Sequence, residues 1–349
     1  MQLKTIPEDF IVVEQAKHVV LEKAPNILLE MTKRNITTER ALSMLADRLD
    51  IPRRLVGYAG TKDARALTKQ YVTVKYSPHT ITRVQNFVRD QVHVRFIGYV
   101  QEPLGLGNLD SNRFEIVVRK IKDERIIHLT KIPNYFDEQR FSTANVEIGR
   151  LILKKDFVEA AKKIISTDQY AAEKMQDFMR EKPTDGVGAL RMIPKHTLLM
   201  YVHAYQSWLY NLVLAKYIIS KDSNSVIVEG AVKITVPTKD LDDVLIPLVG
   251  FGSDTFEPFT TWYHELLDKE GLDERDFIVR SIPYLSCEGG ERTAFFSIEN
   301  LEISDLEDDD MHPGLYKQRL SFVLPKGCYA TMVIKCLYKT GDIKATIDE

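Results

Sequence analysis

The chain has 349 residues, is 44% hydrophobic and carries 47 basic against 50 acidic side chains, a net charge of −3. That is the composition of an ordinary globular protein with a large buried core, and the length suggests roughly two domains. Three cysteines, Cys287, Cys328 and Cys336, form no CxxC pair and no cluster with histidine, which argues against a disulfide framework or a zinc site and for a reducing, cytoplasmic setting.

Read in chain order, the opening MQLKTIPEDF has no apolar leader core, and no window approaches the roughly 18 apolar residues of a membrane span. FIVVEQ (10–15) and HVVLEK (18–23) read as short β-branched strands, and NILLEMTKRN as a strand entering a loop. TTERALSMLADRLDI (37–51) places Ala41, Met44, Leu45 and Leu49 at helical spacing, with Thr37 or Thr38 as cap and Pro52 as the stop. ALTKQYVTVKYS (66–77) alternates like a strand, HTITRVQNFVRD (79–90) suggests a helix, and VHVRFIGYV and RFEIVVRKI are strands joined by a glycine-rich loop. Strands thus outnumber helices early on, which favours α+β with a largely antiparallel sheet. From about 143 to 220 the period becomes helical, with EIGRLILKKDFVEAAKKIIS, AAEKMQDFMREK and LLMYVHAYQSWLYNLVLAKYI as helices. Strand-like pieces follow at 226–237, then a helix at FTTWYHELLDKEGL, and RLSFVLPKGCYATMVIKCLY returns to strand character around a turn at PKGCYAT. Sheet, helical middle and sheet again is the pattern of an inserted domain, or of two consecutive ones.

Charge is unevenly spread: residues 1–159 hold 26 basic and 20 acidic side chains, and the remainder 21 and 30. A basic first half can face a polyanion. Within it, VGYAGTKDARALTKQYVTV (56–74) sets a single carboxylate, Asp63, among lysines, an arginine, hydroxyls and two glycines. Such a loop can hold a phosphodiester while presenting one carboxylate, although it lacks the spacing of a nucleotide-triphosphate loop. PNYFDEQRFS places an amide, Asn134, beside an aromatic, Phe136, the pair needed to read an unstacked base.

GYAGTKDARALTKQ (57–70) resembles the signature of the TruD family of pseudouridine synthases. In family order, PEDFIVVE, SNRFEIVVR, NYFDEQRFS, HAYQSWLYNLVL and LSFVLPKGCYATMVIKCL resemble its other motifs, so the likeness spans nearly the whole chain. Asp137 and Ser142 stand where the family has glycines, Ser111 replaces the glycine before the N-R-F strand, and Cys336-Leu337 replaces a charged residue. The resemblance implies an α+β fold: a discontinuous catalytic domain with a mainly antiparallel sheet at 1–159 and 297–349, and an inserted α/β domain at 160–296. It also implies isomerisation of a uridine in RNA, at position 13 of tRNA, on a flipped-out nucleotide, with no cofactor or metal and no obligatory protein partner. Asp63 is then the expected catalytic carboxylate and Lys4 its cationic partner. Glu8, Phe10, Asn134, Phe136 and Tyr329 are expected to bind the substrate, with Phe136 stacking on the base and Tyr329 covering its other face. Lys62, Arg65, Lys69, Arg113 and Arg140 are expected at RNA phosphates.

Overall fold

The computed structural model describes residues 1–85, 87–122, 126–142, 144–167, 169–340 and 344–345. The first part of the chain carries β1 (Gln2–Leu3), β2 (Phe10–Gln15), β3 (Asn26–Arg34), α1 (Thr38–Leu49), β4 (Gly57–Tyr58), β5 (Leu67–Lys75), α2 (Pro78–Gln85), β6 (Val88–Arg89), β7 (Val92–Val100) and β8 (Ser111–Ile121). There follow β9 (Lys131–Pro133), α3 (Glu138–Phe141), α4 (Asn145–Leu153), α5 (Phe157–Thr167), α6 (Gln169–Glu181), α7 (Gly186–Leu190) and α8 (Lys195–Lys221). The middle of the chain ends with β10 (Val226–Val228), β11 (Ile234–Val236), β12 (Leu245–Leu248), α9 (Phe259–Glu270), β13 (Gly290–Thr293) and β14 (Phe295–Ser297). Last come β15 (Glu299–Ile303), β16 (Glu307–Asp308), β17 (Tyr316–Pro325), α10 (Ala330–Leu337) and β18 (Lys344–Ala345).

Packing divides these elements into two compact units. One is Met1–Ile126 with Ser297–Ala330 and β18; the other is Ile127–Phe296 with 331–340. The resemblance puts the insertion at 160–296; by packing, the second unit takes in the chain from Ile127, with α4 against α8. Among the described residues no helix is long and apolar enough to cross a membrane.

The first unit is built on one sheet in the order β15-β17-β8-β2-β5-β3-β7-β6. Neighbours along it run antiparallel except β2 and β5, which pair in parallel through Ile11–Leu67, Val12–Thr68 and Val13–Lys69. That parallel step requires a crossover, and the crossover includes β3, α1 and the loop that carries Asp63. Alternation along β3 turns Ile27, Leu29 and Met31 inward, where they meet Leu42, Leu45 and Leu49 of α1. Thr37 caps α1 by accepting the Arg40 N–H, and Asp50 ends it in the left-handed region at φ 58°.

In the second unit, α8 runs for 27 residues with Leu198, Val202, Leu209 and Val213 fully buried. Gly149 of α4 lies so close to it that a Cβ there would collide with the Tyr201 carbonyl.

Four expected elements differ. HVVLEK makes only one bridge, Leu21 to Tyr99, and leaves Val19 79% exposed; a β-branched run without neighbours on both sides does not become a strand. The helix expected at 79–90 stops at Gln85, and Val88–Arg89 pairs with β7 instead. The helix expected at 147–166 breaks into α4 and α5 at Lys155, which has φ 64°. ATMVIKCL is helix α10, not strand: Met332, Val333, Ile334, Cys336 and Leu337 are all fully buried, and a short continuous apolar run has no period to distinguish the two.

Candidate active site

The loop after α1 is held from three sides. The Thr38 hydroxyl, at the start of α1, accepts the Lys62 N–H at 2.9 Å and lies 3.2 Å from the Lys62 carbonyl. From β5, the Gln70 amide donates to the Gly60 carbonyl at 3.3 Å. From β3, the Lys33 ammonium donates to the backbone carbonyl of Asp63 and, at 2.9 Å, to that of Ile36. These bonds anchor the loop at Gly60, Lys62 and Asp63 and leave the Asp63 carboxylate partly open, with 33% of its side chain exposed.

The cationic partner of that carboxylate is Lys4, whose Nζ stands 2.6 Å from Asp63 Oδ1. Lys4 adopts φ 58°, and its ammonium sits 4.2 Å from the centre of the Phe10 ring. Phe10 itself is 2% exposed and packs edge-on against Phe114, so it shapes the floor beneath Lys4 and presents little surface of its own. Glu8 is turned elsewhere: it accepts from Arg34 at 2.6 and 3.2 Å, and this guanidinium lowers its pKa from the ordinary carboxylate value. The structure thus brings Lys4, Phe10 and Asp63 together and pairs Glu8 with Arg34.

Lys62, expected at phosphate, points inward. Its Nζ is 2.6 Å from Glu14 Oε2, and the two side chains are 6% and 0% exposed. Arg65 and Lys69 are exposed, and Arg113 is exposed and paired with Glu115 at 3.1 Å. Tyr329 is half-buried just after Gly327, whose φ of 81° makes the turn out of β17.

A separate constellation lies in the second unit. Asn134 is 4% exposed; its amide donates to the Thr293 carbonyl at 3.0 Å, and its Oδ1 accepts from Arg292. Phe136 is clamped by Asn211, which accepts its N–H at 2.9 Å and donates to its carbonyl at 2.8 Å. Its half-buried ring meets Tyr210 edge-on and carries the Arg292 guanidinium 4.2 Å from its centre. Arg140 lies 5.7 Å from the same ring and donates to Ser207 Oγ at 3.2 Å. Asn134 therefore holds backbone and Arg292 in place, and the aromatic surface is Phe136.

Two of the three departures from glycine, Asp137 and Ser142, are accommodated here. Asp137 caps α3 by accepting the Glu138 N–H, accepts the Thr331 hydroxyl, and binds Lys335 Nζ at 2.7 Å. Burial works against the Lys335 ammonium, yet Asp137 and Glu138 overcome it and raise its pKa. Ser142 keeps a positive φ, 47°, so the chain follows a glycine-like path without a glycine.

Lys33, Glu14 and Arg292 were not expected at either constellation. Lys33 and Glu14 had a readable signal: each falls on the inward phase of its strand, Lys33 after Ile27, Leu29 and Met31, Glu14 after Phe10 and Val12. Arg292 had none, since its contacts to Asn134 and Phe136 span more than 150 residues.

Comparison with known proteins is consistent along the chain. The family model described as tRNA pseudouridine synthase D (TruD) matches residues 1–181, 171–245 and 239–337. A relative from Thermococcus sibiricus, named as a probable tRNA pseudouridine synthase D, is 27% identical, over 97% of this chain and 94% of its own. The tRNA pseudouridine synthase D of Aquifex aeolicus is 26% identical, over 99% of this chain and 100% of its own. A crystal structure from Methanosarcina mazei, described as that of a putative tRNA pseudouridine synthase D (TruD), shares the fold, with a TM-score of 0.74 at 23% identity, covering 97% of this chain and 93% of that one.

Proposed function

The chain belongs to the TruD family of tRNA pseudouridine synthases, and we propose that it converts uridine 13 of tRNA to pseudouridine with Asp63 as the catalytic carboxylate. In this isomerisation the N1–C1′ bond breaks, the uracil turns, and a C5–C1′ bond forms; C5 gives up its proton and N1 takes one. Nothing is oxidised and no group leaves the nucleoside.

One anionic group near the sugar suffices. It attacks C1′ in one route, and in the other removes the C2′ proton to give a glycal. Either route needs a carboxylate that is ionised, held still and reachable. The observation that carries the assignment is Asp63 itself: a partly exposed carboxylate, 2.6 Å from the Lys4 ammonium, on a loop whose backbone is bonded to α1, β3 and β5. The ion pair with Lys4 holds that carboxylate in place.

The target uridine must leave its stack, which costs a few kcal/mol. Stacking on an aromatic returns about 1–3 kcal/mol, and Phe136 is the ring proposed for it. Tyr329 is proposed to cover the other face. Arg65, Lys69, Arg113 and Arg140 are proposed at phosphates; Lys62 is better read as holding Glu14.

The test uses an unmodified tRNA transcript with pseudouridine mapped along it. The parent enzyme should modify position 13. Asp63→Asn should form no product while binding the transcript within a few-fold of the parent. Product at the parental rate from that variant would refute the assignment.

A further inference from the structure

Lys33 is the unusual charge of the first unit. It is 0% exposed, on the inward phase of β3, in line with Ile27, Leu29 and Met31. A lysine is seldom buried this fully without partners. Its partners are two backbone carbonyls: that of Ile36, in the turn before α1, and that of Asp63. The ammonium therefore ties the carboxylate-bearing residue to the start of the helix. Lys4 holds the same residue through the side chain.

We infer that Lys33 is a positioning residue for the isomerisation, its ammonium fixing the backbone of Asp63 so that the carboxylate stands where the sugar is presented. This rests on the assignment of Asp63 as the catalytic carboxylate. Carbonyl acceptors bind an ammonium as charge-assisted partners and hold a neutral amine less strongly. The tie is accordingly sensitive to the lysine's proton.

Burial pulls the Lys33 pKa down from 10.5 to about 8; Asp63 opposes this, and Lys62 and Lys4 reinforce it. Glu14 faces Lys62 from β2 and offsets that cation. As pH rises through about 8 the native protein gives up this proton, and the loop loses its charged clasp. Stability moves the other way. Between about 8 and the unfolded value of 10.5 the unfolded chain holds more protons at this group, so its contribution to stability rises with pH. A fall in turnover in that window is therefore not unfolding caused by Lys33.

The experiment measures kcat and KM for pseudouridine formation from pH 6.5 to 9 in the parent, Lys33→Met and Asp63→Asn. The parent should show kcat declining with a midpoint near 8. In Lys33→Met, kcat at pH 7 should fall about 100-fold, the scale of a small misplacement of a reacting group, with KM nearly unchanged and the alkaline decline gone. Parental kcat in Lys33→Met, or an alkaline decline that persists in it, would overturn the inference while leaving Asp63 in place. Turnover in Asp63→Asn would instead remove the premise. Should Lys33→Met not fold, the parent profile still decides: a kcat that stays flat through pH 9 overturns the inference.

Discussion

Glu14 and Lys62 form an ion pair almost wholly out of solvent, at 0% and 6% exposure, beside the residue assigned to catalysis. The Glu14 carboxylate also accepts the Tyr71 N–H at 3.3 Å. Neutralising it would strand the Lys62 ammonium in the interior, and breaking a buried pair on one side costs about 3–5 kcal/mol. Glu14→Gln should lower the stability of the protein by that order in urea unfolding, more than loss of an exposed pair such as Lys162–Glu159, which contributes at most about 1 kcal/mol. An unchanged denaturation midpoint would show that the pair does not bear on the fold. The Lys4–Asp63 pair was legible because short motifs around both residues resemble a known family. The inward turn of Lys62 was not legible, because sequence gives a residue's place in a loop but not its direction. Lys33 and Glu14 were legible in principle: charge on the inward phase of a hydrophobic strand must find a partner inside, and the partner is worth looking for.

At the scale of elements, α1 begins with two threonines that have different tasks. Thr37 caps the helix through Arg40 at 3.2 Å, while Thr38 faces the loop that carries Asp63 and binds Lys62 on both backbone groups. Thr37→Ala should cost about 1 kcal/mol of stability and leave turnover per folded molecule unchanged. Thr38→Val keeps the shape but orphans the Lys62 N–H, at a stability cost of about 1–3 kcal/mol. It should also lower kcat, because the loop next to Asp63 loses one of its ties. Equal kcat in the two variants, measured at a temperature where both are folded, would argue against this division of labour. The elements most readable from sequence were those with a clear period: β2, β3, α1, β5, β7 and β8 lie close to where alternation or helical spacing put them. Helix α10 was not, since its run from Met332 to Leu337 is buried on every side and only packing selects its form. The split between α4 and α5 was hidden for a related reason: Lys154, Lys155 and Asp156 are all compatible with a helix surface, and the turn is taken by a non-glycine residue.

For the whole molecule, the excess of basic side chains over residues 1–159 sets the expected response to salt. Binding of tRNA should weaken as salt rises, because each phosphate contact releases condensed counterions. Lys69, exposed on β5, is a direct probe: Lys69→Ala should reduce the slope of log affinity against log salt by about one unit if it meets a phosphate. A slope equal to the parent's would remove it from the interface. A further consequence follows from the way the first unit is completed. β8 is flanked by β2 on one side and by β17 on the other, and β17 pairs with it from Tyr316 to Pro325. Arg119 of β8, 4% exposed, binds Asp9 near the start of the chain and Asp309 from the returning segment. On the ribosome, the nascent sheet therefore waits, with an open edge on β8, while residues 127–296 are made, a pause of roughly 10–30 s at typical elongation rates. During that interval Arg119 lacks its later partner, and the bare strand is the place where a chaperone or a neighbouring nascent chain would find the protein most vulnerable.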